Sequence, residues 1–216
     1  MGMYKRIEPS VRNNAKVLIA IPSGDYMPVL TVSCLLNLRH EPRDVVQIQT
    51  GSLVYNSRTH LANAALSDPS FTHILWIDSD MAFPPDTLTR LIEDDKDIVT
   101  CICYGRVGKH APCAYKSVKK GSKRKAGIIT PIDITDSMPK LIEVDGCGSA
   151  MMLVKTDVYR KVLRRFHEWY EPKWNLGEDI AFTERAKKCG YKIWCDTTIK
   201  IGHIGSAVYG KEDYKG

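Results

Sequence analysis

Asp78-Ser79-Asp80 sets two carboxylates one residue apart. They follow Ile74, Leu75, Trp76 and Ile77, an apolar run of the kind that forms a buried strand in an α/β sheet. On an extended chain alternate side chains point the same way, so Asp78 and Asp80 are expected to converge just past the strand end. In open α/β sheets ligands bind there. Paired carboxylates at such a place suit a hard divalent cation, and that cation often arrives with a phosphate. The competing reading is structural: the same acids can solvate a turn, and Pro84-Pro85-Asp86 reads as a helix start with Asp86 as N-cap.

Other residues carry chemistry at a distance in sequence. Arg58 falls in the first turn of a predicted helix, where the helix dipole prefers an acid, so it serves either a ligand or the surface. Glu178 and Asp179 open a later helix, where the dipole alone would favour them. His203 sits in the run Gly202-His203-Ile204-Gly205. The turn Pro22-Ser23-Gly24-Asp25 ends the first strand, and its glycine lets a ligand approach the backbone closely. It is neither GxGxxG nor a Walker loop. Gly146 and Gly148 bracket Cys147 before Ser149, marking tight backbone beside something. His167 to Asn175 carries Trp169, Tyr170 and Trp174 among Glu and Pro, and reads as an aromatic loop able to stack on a sugar ring or a base.

The elements that must position these residues alternate. Strands are expected over 16–22, 44–50, 72–77 and 97–104, with helices over 27–39, 56–67 (capped by Asn56 or Ser57) and 86–94 between them. That order predicts a parallel sheet with helices on both faces. Residues 105–140 then break the pattern as a polar, basic insertion with brief strand-like pieces, of the kind that is a functional or a disordered loop. Within it Lys116, Lys119, Lys120, Lys123, Arg124 and Lys125 form a block without an acid, either a solvated loop or an attractor of phosphates. Strands over 141–145, 150–154 and 191–196 and helices over 156–166 (capped by Thr156) and 178–189 complete the chain. Residues 1–15 read as a loose leader, 16–205 as one domain, and 206–216 as a tail.

The 216 residues have a net charge of +6 and no run reaching the roughly 18 apolar residues of a membrane span. The first residues lack the apolar core of a signal peptide. Seven cysteines, an odd number without a CxxC pair, argue against a disulfide framework or a zinc ribbon. They predict reduced thiols in a cytosolic protein.

Taken in order, the Ile21-Pro22-Ser23-Gly24 turn, Asp78-Ser79-Asp80 in its WIDSDM setting, Gly146-Cys147-Gly148-Ser149-Ala150, Gly177-Glu178-Asp179 and the late His203 resemble the GT-A glycosyltransferases, in particular small family 2-like members including phage-type ones. The resemblance spans about 16–205. It implies a GT-A fold, α/β with a Rossmann-like, mostly parallel central sheet, and a nucleotide-diphospho-sugar donor, a UDP-sugar first. It also implies a divalent cation, manganese or magnesium. Carried over by residue, Asp80 and His203 would ligate the metal. Asp78 would join them through water or hold the nucleotide ribose. Pro22, Ser23, Gly24, Arg58, Ser79, Gly146 and Gly148 would contact the donor. Asp179 would be the base of an inverting transfer, with Glu178 on the acceptor. The basic insertion is not a feature of that family, and it points to a phosphate-rich acceptor such as a modified DNA base or a nucleotide-linked glycan. The alternatives are a sugar nucleotidyltransferase, a metal-dependent hydrolase, or a nucleic-acid-binding protein without catalysis.

Overall fold

A computed structural model describes residues 14–106, 109–122, 125–173 and 175–205. The leader apart from Asn14 and Ala15, the tail, and Lys123, Arg124 and Trp174 lie outside the described residues.

Strand β1 (Val17–Ser23) is buried along its whole length, as a β-branched and aliphatic run at the centre of a two-faced sheet should be. The succession β1, α1 (Val29–Asn37), β2 (Val45–Thr50), α2 (Val54–Ser67), β3 (His73–Ile77) builds two parallel crossovers, with β2 and β3 on either side of β1. A two-residue strand β4 (Met81–Ala82) and helix α3 (Thr87–Glu93) lead to β5 (Ile98–Cys101).

β5 does not pair with β3. Strand β10 (Met151–Lys155) lies between them, antiparallel to both. The long segment after β5 returns to place β10 in that gap. The sheet is completed by β11 (Ile193–Asp196), parallel to β5, and β8 (Leu141–Val144), giving the order β2-β1-β3-β10-β5-β11-β8. β2, β1, β3, β5 and β11 run one way, and β10 and β8 run against them.

Period-two alternation splits the core. Leu18, Ala20, Ile74 and Trp76 face α2, α4 (Thr156–Phe166) and α5 (Glu178–Lys188), while Val17, Ile19, Leu75 and Ile77 face α1 and α3. The insertion is ordered where described. β6 (Ala114–Lys119) and β7 (Ile128–Pro131) form a hairpin, and β6 also pairs with β9 (Gly146–Cys147) in a separate three-stranded sheet. Lys116 is held in that hairpin by Asp133 at 2.6 Å.

Several predicted caps are absent. α2 starts two residues before Asn56, on Leu53, without a side-chain cap. Asp86 precedes α3 but its carboxylate makes no capping bond. Thr156 is the first residue of α4, and its hydroxyl bonds the Phe71 carbonyl instead. No described helix is long and apolar enough to cross a membrane.

Candidate active site

The carboxyl ends of β1, β2 and β3 open into one cleft of about 450 Å³. Pro22, Ser23 and Gly24 form one wall, Gly51, Ser52, Val54 and Ser57 another, and Asp78, Ser79 and Asp80 the floor, with Arg58, Arg106, Glu178 and His203 completing it. Gly24 has open space where a side chain would stand.

The two aspartates share the cleft but not a point in it. The strand stops at Ile77 and Asp78–Asp80 turn, so the alternation of an extended chain no longer applies. Asp78 Oδ1 accepts from Arg58 Nη2 at 2.7 Å, and Arg58 Nε donates to Glu178 Oε1 at 3.1 Å. Arg58 is 2% exposed. Its guanidinium lies near the Trp76 and Tyr170 rings, with centroids 5.3 and 6.0 Å from Cζ. The neighbouring carboxylates keep it charged despite burial. Arg58 is therefore neither a surface arginine nor a freely projecting anion hook: it clamps the first acid of one motif to the first acid of another.

Asp80 faces the other way. Its Oδ1 is 3.4 Å from His203 Nε2, and its Oδ2 is 3.0 Å from Arg106 Nη1. A small antiparallel ladder brings the late histidine there: β12 (Gly202–His203) pairs with β4, and Ile204 N donates to the Asp80 carbonyl at 2.8 Å. His203 Nδ1 lies 2.9 Å from the Tyr104 carbonyl. A carbonyl can only accept, so Nδ1 carries a hydrogen and Nε2 is the ring nitrogen that faces Asp80.

Asp179 lies behind Glu178, half-buried at the start of α5, and its Oδ1 accepts from the Ile180 amide at 2.7 Å. Its carboxylate fills the space beside two glycines: a methyl added at Gly148 would be 3.5 Å from Oδ2, and one at Gly177 would be 2.5 Å from Oδ1. Burial, and then the Glu178 carboxylate, push its pKa up to about 7. Gly148 thus adjoins Asp179, whereas Gly146 does not line the cleft. Gly146 is buried, and a methyl there would meet Val118, Thr183 and Ile180. The tight backbone at 146 serves the contact of the hairpin with α5.

One expectation is corrected. Trp169 and Tyr170 are 3% and 0% exposed and pack into the core, so they offer no stacking platform. Tyr170 stacks on Phe182 and bonds the Tyr159 hydroxyl at 2.7 Å. No group of three His, Cys, Asp or Glu able to hold a metal occurs among the described residues. Arg106 and the Gly51-Ser52 turn were not singled out from sequence. The position of Gly51-Ser52 after the strand parallel to β1 was the available signal.

No protein-family profile matches the chain, and neither does any curated protein. Its backbone does match solved structures. A197 from STIV aligns with TM-score 0.59 at 16% identity, over 88% of this chain and 86% of that one. GalNAc-T7, solved with UDP, GalNAc and Mn2+, aligns with TM-score 0.61 at 9% identity, over 89% of this chain and 44% of that one. The chain has the GT-A glycosyltransferase fold.

Within this GT-A fold the donor set can be tested against a divalent ion. Two ligand atoms each about 2.1 Å from one ion at a right angle are about 3 Å apart, close to the Asp80–His203 spacing. The carbonyl behind Nδ1 is the usual support of a metal-binding imidazole. Asp80 and His203 could thus supply two ligands to one ion, with Arg106 Nη1 on the other Asp80 oxygen. Asp78, drawn to Arg58, fits as an outer partner.

Proposed function

We propose that this protein is a divalent-cation-dependent glycosyltransferase that moves a sugar from a nucleotide-diphospho-sugar, a UDP-sugar first, to an acceptor hydroxyl. The observation that carries the reading is the pairing of Asp80 Oδ1 with His203 Nε2 at 3.4 Å in the cleft bounded by the β1 and β2 turns, which Glu178, the neighbour of Asp179, also lines. The fold shared with GalNAc-T7, a protein solved with UDP and Mn2+, supports the same ligand class.

Asp80 and His203 would hold the ion, and a mixed imidazole and carboxylate set suits manganese or magnesium, with the imidazole tilting towards manganese. Bound there, the ion supplies a Lewis acid for the negative charge left on the diphosphate. Pro22, Ser23, Gly24 and Ser79 would line the nucleotide, and Asp78, steadied by Arg58, would meet the ribose. Asp179, with a pKa of about 7, is suited to take the acceptor proton near neutral pH. Attack opposite the departing diphosphate would invert the sugar, and Glu178 would orient the acceptor.

A phosphate-rich acceptor fits the basic hairpin, because β6 pairs with β9 immediately before Gly148 and Asp179. Replacing Lys119, Lys120, Lys123, Arg124 and Lys125 by Gln should then raise KM for a polyanionic acceptor, and unchanged kinetics would remove that acceptor class.

Calorimetry with UDP, GDP, CDP, ADP and TDP, with manganese and then with excess chelator, tests the whole reading. Manganese-dependent binding of one of them, lost in Asp80→Ala, is expected. Absence of binding to all five by the folded protein would overturn it.

A further inference from the structure

Helix α1 is built inside out. Residues 26–38, YMPVLTVSCLLNL, contain no charge, in a chain where 26% of residues are charged. The one fully buried residue of the helix is the polar Thr31, whereas Val29 is 84%, Leu30 55% and Leu36 82% exposed. Tyr26, just before the helix, is 91% exposed. The exposed side of the helix carries Val29, Leu30, Val32 and Leu36 with only Ser33 and Asn37 between them, and a contiguous exposed apolar patch marks an interaction surface.

A second feature adjoins it. Among the described residues β2 is the last strand of the sheet, with β1 on one side and no strand on the other. Its sequence, VVQIQT, has none of the charges or prolines that usually protect an open edge. Val46 and Ile48 stand beside Ile19 and Ile21 of β1, on the face that α1 covers, and are 46% and 53% exposed. The open edge and the bare helix are thus parts of one uncharged surface.

We propose that this surface is the interface of a two-fold homodimer, in which β2 pairs antiparallel with β2 of a second copy and the two α1 helices pack together across the joined sheet. Self-complementarity argues for a second copy. A two-fold axis sets the same patch against itself, so any charge near the axis would meet its own like; this patch carries none. Antiparallel pairing on a common face sets residues of equal parity opposite each other, so Val46 of each copy meets Ile48 of the other. The product is a continuous apolar strip beneath both helices. A membrane-surface helix would instead be expected to carry a basic polar face, which α1 lacks. The inference does not depend on the proposed activity.

Sedimentation equilibrium on the full chain tests it. Interfaces of standard size have Kd values from about μM to pM, so a series from about 1 to 100 μM covers the range. We expect wild type to sediment at twice the chain mass. Ile48→Lys and Leu36→Glu, at exposed sites and with unchanged circular dichroism, should each sediment as monomers or weaken association at least tenfold. A wild type that stays monomeric throughout would overturn the proposal. So would variants that dimerise as well as wild type, or a monomeric wild type that binds phosphatidylcholine or phosphatidylserine vesicles through Leu36.

Discussion

At the scale of single residues, the site is a set of competing charges. The buried Arg58 guanidinium lies between Asp78 and Glu178, two acids of the same cleft. Removing one partner of a buried ion pair costs about 3–5 kcal/mol, because the charges left behind are neither solvated nor paired. Arg58→Met should therefore lower the unfolding free energy by about that much in urea titrations, more than the surface variant Arg39→Met. Asp179 behaves oppositely. Its folded-state pKa of about 7 lies above the roughly 3.9 of an exposed aspartate. The native state then holds the proton more tightly than the unfolded chain, so this group's contribution to stability declines as pH rises from about 4 to 7. Asp179→Asn should raise Tm at pH 8 and leave it little changed near pH 4. In activity the same substitution should lower kcat by about 10²–10⁴-fold. The wild-type kcat/KM should fall below about pH 7, where the base is protonated, and the variant's residual activity should lack that limb.

At the scale of elements, an aromatic stack ties the strand that ends at the acids to α4 and α5. Trp76 Nε1 donates to the Tyr159 hydroxyl at 2.6 Å, and that hydroxyl is 2.7 Å from the Tyr170 hydroxyl. Tyr159 is fully buried and stacks on Phe182 of α5 at a centroid distance of 5.0 Å. Tyr159→Phe keeps the stack but strands the indole N–H, which should cost about 1–3 kcal/mol. Urea unfolding followed by Trp fluorescence would measure it, and loss of donor affinity without loss of stability would contradict this role. The β4–β12 ladder is the second positioning device, since two residue pairs fasten His203 alongside the turn that carries Asp80.

At the scale of the whole molecule, ligand binding should feed back on the fold, because the cleft draws on β1, β2, β3, α2, α5 and the 202–205 segment together. A ligand that binds only the folded state at 100 times its Kd adds about 2.7 kcal/mol, worth roughly 5–10 °C in Tm for a chain of this size. The matching nucleoside diphosphate with manganese should give that shift, and chelator should remove most of it.

Much of this protein was legible from the order of its residues. β1 and β3 announce themselves as apolar runs, because burial on two faces demands an uninterrupted aliphatic strand, and most helices do so through their spacing and breaks. Asp78, Asp80, Glu178 and His203 stood out by type and context, and they line one cleft. What the residue order could not determine is which groups face each other. Pairing partners 20 to 120 residues apart, such as Arg58 with Asp78 and Glu178, depend on how helices cross the sheet. The insertion of β10 between β3 and β5 depends on a long-range return of the chain that local periodicity does not encode. Burial is where the reading failed: Trp169 and Tyr170 lie in a loop as expected but are buried, so they offer no exposed stacking surface. A side chain's environment is set by what packs over it, and that is a property of the tertiary structure.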